Sequence, residues 1–103
     1  MDFKNEKELE IYCCTWAITN HNLVHVKMEV PGQKGWPDQL FFKGNVRGHR
    51  KITMFFVEFK DLGEKPDKLQ KLIHKIIRAS GIRVHVIDNF EDFKDACHVE
   101  IHT

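Results

Sequence analysis

Ile52-Thr53-Met54-Phe55-Phe56-Val57-Glu58-Phe59-Lys60 is followed by a stretch from Pro66 to Ser80 and then by Ile82-Arg83-Val84-His85-Val86-Ile87. These three segments decide the fold. Met54 to Val57 is uninterruptedly apolar, which predicts a central strand covered on both faces. Between Pro66 and Ser80, Leu69, Leu72, Ile73, Ile76 and Ile77 recur at helical spacing and form one apolar stripe. Lys68, Lys71, Lys75 and Arg78 form a separate basic stripe. Pro66 suits a helix start and Gly81 suits the position just after a helix end. Residues 82–87 alternate cleanly as a strand. A strand, helix, strand passage implies a right-handed crossover and a locally parallel pair.

Working outward, residues 4–20 carry Leu9, Cys13, Trp16 and Ala17 at i, i+4, i+7 and i+8, which predicts an amphipathic helix. Asn20-His21-Asn22 reads as its stop. Residues 23–29 and 38–43 read as strands, separated by a loop from Pro31 to Pro37. Gly44 to His49 is turn chemistry with cationic side chains. Residues 90–97 read as a short terminal helix with Asn89 as its cap. The expected order is α-β-β-β-α-β-(α). It describes an α/β fold, a small mixed sheet flanked by helices, in a single domain over residues 1–103.

The composition agrees with that architecture. A chain of 103 residues holds one modest core, and 42% apolar with 30% charged residues is a folded, globular balance. No run approaches the 18 apolar residues that would suggest a membrane span. Met1 to Glu6 is charged, so no secretory signal is expected. Cys13, Cys14 and Cys97 are odd in number and are expected as reduced, mostly core-facing thiols. Net charge is +1, but residues 34–83 hold 12 basic and 5 acidic side chains, and the rest of the chain is acidic. A basic middle suits a polyanion through counterion release, and it equally suits a solvated face with compensating ends.

Three residues carry the chemistry. Asp38 opens the second strand after Gly35-Trp36-Pro37, and Glu58 and Lys60 close the third. Spacing of two puts Glu58 and Lys60 on one sheet face. If the two strands pair as a hairpin, Asp38 and Glu58 converge at one sheet end. Paired carboxylates repel unless a cation lies between them, and a hard divalent ion such as Mg²⁺ or Mn²⁺ prefers oxygen ligands. A lysine beside it stabilises charge building on a phosphate. The bland alternative is a surface ion pair between Glu58 and Lys60.

Gly35-Trp36-Pro37-Asp38-Gln39-Leu40, Phe56-Val57-Glu58-Phe59-Lys60, Leu69-Gln70 and Ser80-Gly81-Ile82-Arg83-Val84-His85-Val86-Ile87 together resemble the virus-type replication-repair nuclease domain. That domain belongs to the PD-(D/E)xK nuclease superfamily. The resemblance spans nearly the whole chain, whose length resembles the stand-alone bacteriophage versions rather than the domain fused to larger repair nucleases. It implies a mixed sheet flanked by helices, metal-dependent phosphodiester cleavage and a role in DNA repair. It further implies a homodimer that cuts four-way Holliday junctions, acting in the bacterial host cytoplasm. By position, Asp38, Glu58 and the backbone carbonyl of Phe59 would hold Mg²⁺ or Mn²⁺, and Lys60 would be the catalytic lysine. Gln70 would be the family glutamine near the site. An N-terminal helical glutamate would complete the set, with Glu6 the first choice and Glu10, one turn on, the second. A first-turn charge favourable to the helix is the plain alternative for Glu6.

Candidate phosphate contacts are Lys34, Lys43, Arg47, Arg50 and Lys51 around the hairpin, and Lys68, Lys71 and Lys75 on the helix. Trp36 suits either base stacking or turn packing. The seven histidines are spread along the chain with no Cys-x-x-Cys pair, so no zinc site is expected. Cys13 and Cys14 are expected to pack rather than react. The aromatic strand residues Phe41, Phe42, Phe55, Phe56 and Phe59 offer more apolar surface than a small sheet is expected to bury, which would suit dimerisation.

Overall fold

The computed structural model describes residues 2–44 and 52–102. The turn from Asn45 onward, with Arg47, Arg50 and Lys51, lies outside the described residues. The chain runs α1 (Glu6–His21), β1 (Val24–Lys27), β2 (Gln39–Lys43), β3 (Thr53–Phe59), α2 (Lys68–Ala79), β4 (Arg83–Ile87) and α3 (Phe90–His102). The four strands form one mixed sheet in the order β1-β2-β3-β4. The pairs β1–β2 and β2–β3 are antiparallel, and β3–β4 is parallel.

Strand periodicity sorts the side chains into two layers. Phe41, Phe55, Val57 and Phe59 point to one face, where they pack with Leu9, Cys13, Cys14 and Ala17 of α1 and Phe93, Ala96 and Cys97 of α3. Phe56 and Val84 point to the other, against Ile77 of α2, with Trp36, Leu40, Ile73 and Ile82 around them. Helices therefore cover both faces of β3, and its last five residues are all buried. Four of the five aromatic strand residues do not make the surplus surface expected of them, while Phe42 is half-buried and belongs to neither core. Phe41, Phe55, Phe56 and Phe59 are consumed by the chain's own two cores. The exposed apolar side chains on the sheet are instead Val24, Val26 and Met54.

Helix limits follow the capping chemistry. The Asn5 side chain accepts the Glu8 N–H at 3.0 Å, so α1 starts at Glu6 rather than residue 4. The Asp67 carboxylate accepts the Gln70 N–H at 2.8 Å, and the Gln70 side chain accepts the Asp67 N–H at 3.0 Å. This capping box starts α2 after Asp67, so Pro66 stands outside the helix. The terminal helix runs on to His102, well past residue 97, because Phe93, Ala96, Cys97 and Glu100 form one buried stripe. Glu100 hides that stripe from a hydropathy reading. Its buried carboxylate is paired with His85 Nε2 at 2.7 Å and Arg83 at 3.3 Å. On α2 only part of the expected stripe reaches the sheet. His74 and Ile77 are buried, while Leu69, Leu72 and Ile76 stay exposed.

The loop before β2 is seated by Gly35. Its φ is +91°, and a Cβ there would stand 2.9 Å from Leu69 Cγ and 3.1 Å from Ile73 Cγ1. Only glycine accepts both the conformation and the approach to α2. Gly35→Ala is expected to lower the denaturation midpoint clearly, by on the order of 1 kcal/mol or more. Gly32→Ala, also at positive φ but with open space around it, is expected to cost less. Urea denaturation of the two variants checks the ordering.

Candidate functional site

The β2–β3 register sets Gln39 opposite Val57, so one step further along the ladder Asp38 stands opposite Glu58. Both project toward the α2 side of the sheet, at the end where β3 runs out. Asp38 is held from two directions. Its Oδ2 accepts the Phe59 N–H at 2.7 Å, and its carbonyl accepts the Met28 N–H at 2.8 Å. Pro37 immediately before it is fully buried. A rigid lead-in and two flanking strands therefore fix the carboxyl without any long-side-chain partner.

Glu58 is buried at 3% exposure and lies within hydrogen-bond reach of Asp38. Burial pushes the Asp38 carboxyl up to about 7, against the Phe59 N–H, which pulls it down. The charges of Glu58 and Glu10 push the same way as burial. Among the described residues no lysine or arginine forms an ion pair with Asp38 or Glu58. Two oxygen-only ligands crowded together without a cationic side chain between them are a donor set suited to a hard divalent ion.

α1 brings both candidate glutamates to this end of the sheet. Glu10 accepts from Lys27 Nζ at 2.8 Å and from Gln39 Nε2 at 2.5 Å, and its charge is felt at Asp38. Glu6 sits a turn earlier, where its backbone N–H donates to Asp61 Oδ1 at 2.6 Å. Burial raises the Glu6 pKa first, then Asp61 and Glu64; Lys60 opposes them, and Glu58 adds to the rise. Glu10 is thus tied to Lys27 and Gln39 and Glu6 lies with Asp61 and Glu64; among the described residues neither joins Asp38 and Glu58 in a set of three ligand atoms within 4.8 Å of one another. Carboxylate oxygens of Glu6, Asp61 and Glu64 also lie within 4.8 Å of one another, in a more exposed setting.

Lys60 follows the end of β3, where its backbone N–H donates to the Ile87 carbonyl at 2.9 Å. Its side chain is 11% exposed, with Nζ 3.8 Å from Glu64. It lines a cleft of about 370 Å³ together with Lys4, Asn5, Asp61, Asp88 and Asn89. The cleft floor is tied down by the Asp88 carboxylate, which accepts the Gly63 N–H at 2.8 Å. Phe59, whose carbonyl is a candidate ligand, is the last residue of β3 and is buried by its ring.

Gln70 is placed differently from its expected role near the site. Its side chain is bonded to the backbone of Asp67, within the α2 cap. One turn further on the same helix, His74 takes the inner position. It is 1% exposed, and its Nε2 lies 3.4 Å from Glu58 Oε1. The signal for it was its place at i+4 from Gln70 between Ile73 and Ile77, which counting histidines along the chain overlooked. His98 and His102, also counted as spread out, are one turn apart on α3 with ring centroids at 4.5 Å.

Lys68, Lys71 and Lys75 are exposed along α2, Lys34 is exposed before β2, and Lys43 is partly buried at the end of β2. Trp36 donates its Nε1–H to Gln33 at 2.9 Å and packs in the α2-side core, so it serves the turn. All three cysteines are buried, and that burial pushes Cys14 and Cys97 up to about 12, which leaves them inert thiols. Among the described residues no helix is long and apolar enough to cross a membrane.

No protein-family model matches this chain, and no curated protein matches it.

A raised Asp38 pKa makes the folded state hold a proton that the unfolded chain releases above its ordinary value of 3.8. Stability contributed by this group is therefore full at low pH and declines as pH rises through about 7. In chelator, the melting temperature of the wild type is expected to fall between about pH 5 and pH 8 more steeply than that of Asp38→Asn. Equal slopes would contradict the carboxyl pairing.

Proposed function

We propose that this chain is a divalent-metal-dependent DNA endonuclease of the PD-(D/E)xK type, similar to the virus-type replication-repair nuclease domain. The observation that carries the reading is the juxtaposition of the Asp38 and Glu58 carboxyls at the end of the β2–β3 ladder, with Lys60 two residues on. The sheet order, the parallel β3–β4 pair and the helix between them are compatible with such a core.

Asp38 and Glu58 would hold Mg²⁺ or Mn²⁺, with the Phe59 carbonyl beside them and Glu10 or Glu6 completing the set. The bound ion would supply Lewis-acid charge at the scissile phosphate and an activated water. Lys60 lines the cleft, and its ammonium would assist the attacking water and offset the charge building on the phosphate. For that role it must let go of Glu64, and a pair at 3.8 Å with a half-exposed partner is weak enough to allow it. Lys68, Lys71 and Lys75 provide a row of exposed cations along α2 for neighbouring phosphates.

The substrate in this reading is branched DNA, a four-way Holliday junction above all, in the bacterial host cytoplasm. Paired cuts across a junction call for two active sites, which a C₂ homodimer supplies. The exposed apolar side chains Val24, Val26 and Met54 on the sheet and Leu72 and Ile76 on α2 are compatible with a second copy.

A non-catalytic nucleic-acid-binding module on the same fold is the competing reading. The two part on one experiment with four-way, flap, nicked and linear duplexes in Mg²⁺, Mn²⁺ or chelator. The wild type is expected to cleave with metal and to stop in chelator. Glu58→Ala and Lys60→Ala are expected to lose at least about 100-fold in cleavage while keeping salt-dependent DNA binding within a few fold. A wild type that binds DNA and cleaves nothing, even in Mn²⁺, would establish the binding module instead.

A further inference from the structure

We propose that His74 is a positioning residue for the metal centre: its Nε2–H holds Oε1 of Glu58 and so turns the other Glu58 oxygen toward the ion shared with Asp38. The inference rests on the metal-centre reading above and adds to it a residue from α2, an element that otherwise contributes only surface cations.

His74 is 1% exposed and Glu58 3%, so each side chain depends chiefly on its protein neighbours. An ionised carboxylate only accepts hydrogen bonds, and a buried one needs donors. The Phe59 N–H is taken by Asp38. Among the described residues, His74 Nε2 stands 3.4 Å from Glu58 Oε1, and the tautomer with its proton on Nε2 donates to that oxygen. Glu58 therefore has one oxygen turned to α2 and leaves its remaining lone pairs for Asp38's side. A carboxylate free to swing between two rotamers would present a ligand only part of the time. One tethered from behind presents it always, which is how outer partners of metal-ligating carboxylates raise affinity.

The helix geometry makes the tether rigid. His74 is flanked on the inner face of α2 by Ile73 and Ile77, which pack against Phe56, Val84 and Ile82. The α2 start is fixed by the Asp67–Gln70 capping box, and the Gly35 loop rests on Leu69 and Ile73. The same loop leads through Pro37 to Asp38. One helix thus braces both carboxyls, Asp38 through the loop that it carries and Glu58 through His74.

The test compares His74→Gln, which keeps an N–H donor at similar reach, with His74→Leu, which keeps bulk and removes the donor. The readout is Mn²⁺ affinity of the DNA-free protein, measured by the electron paramagnetic resonance signal of free Mn²⁺. Thermal melts confirm that each variant is folded. His74→Gln is expected to bind Mn²⁺ within about threefold of the wild type, and His74→Leu to lose about tenfold or more. If His74→Leu does not fold, His74→Met serves as the donor-free variant. A folded donor-free variant with wild-type Mn²⁺ affinity would overturn the proposal and leave the metal centre standing. Loss in His74→Gln equal to that in the donor-free variant would overturn it too, because the donor would then not be what matters. A wild type with no Mn²⁺ affinity would instead remove the metal-centre reading on which the proposal rests.

Discussion

Two carboxyl groups, Asp38 and Glu58, are forced into proximity where the β2–β3 ladder ends, and the backbone N–H of Phe59 pins one of them there. Burial is the largest cause of the upward displacement of the Asp38 pKa, and the neighbouring charge of Glu58 adds to it. With both groups ionised the pair costs the fold stability, since each charge is buried beside the other. Positions that violate local economy in this way are where function is expected. The rest of the molecule supports the arrangement. Two cores clamp β3 from both faces, the Gly35–Pro37 lead-in seats Asp38, and α1 brings its own carboxylates to the same end.

Much of this architecture could be read from the chain. The uninterrupted apolar run of β3, the clean alternation of β4 and the stripe of α2 each have one dominant period, so their types were legible. Element limits were less so, because caps decide them: Asn5 and Asp67 each begin a helix later than the hydropathy pattern does. The length of α3 was hidden by Glu100, a charged residue buried on the helix's inner face and paired with His85 and Arg83. Hydropathy treats such a residue as surface, and only the partner reveals otherwise.

Within the candidate site the legible part was the residue set on adjacent strands. Asp38 and Glu58 meet because strand periodicity and antiparallel register follow simple rules. The illegible part came from helices, whose rotation about their axes is set by packing. That is why Gln70 turns back into the α2 cap while His74 reaches Glu58, and why Glu6 stands with Asp61 and Glu64 while Glu10 is bonded to Lys27 and Gln39. The aromatic strand residues also misled: counted along the chain they exceed what a small sheet buries, but helices on both faces absorb four of the five.

The most direct test of the central claim is anomalous X-ray scattering from crystals of the protein soaked in Mn²⁺, recorded near the manganese edge. The account predicts one dominant peak between Asp38 and Glu58, within about 2.0–2.6 Å of a carboxylate oxygen of each. A peak confined to the Glu6, Asp61 and Glu64 oxygens, or no peak at either place, would contradict it.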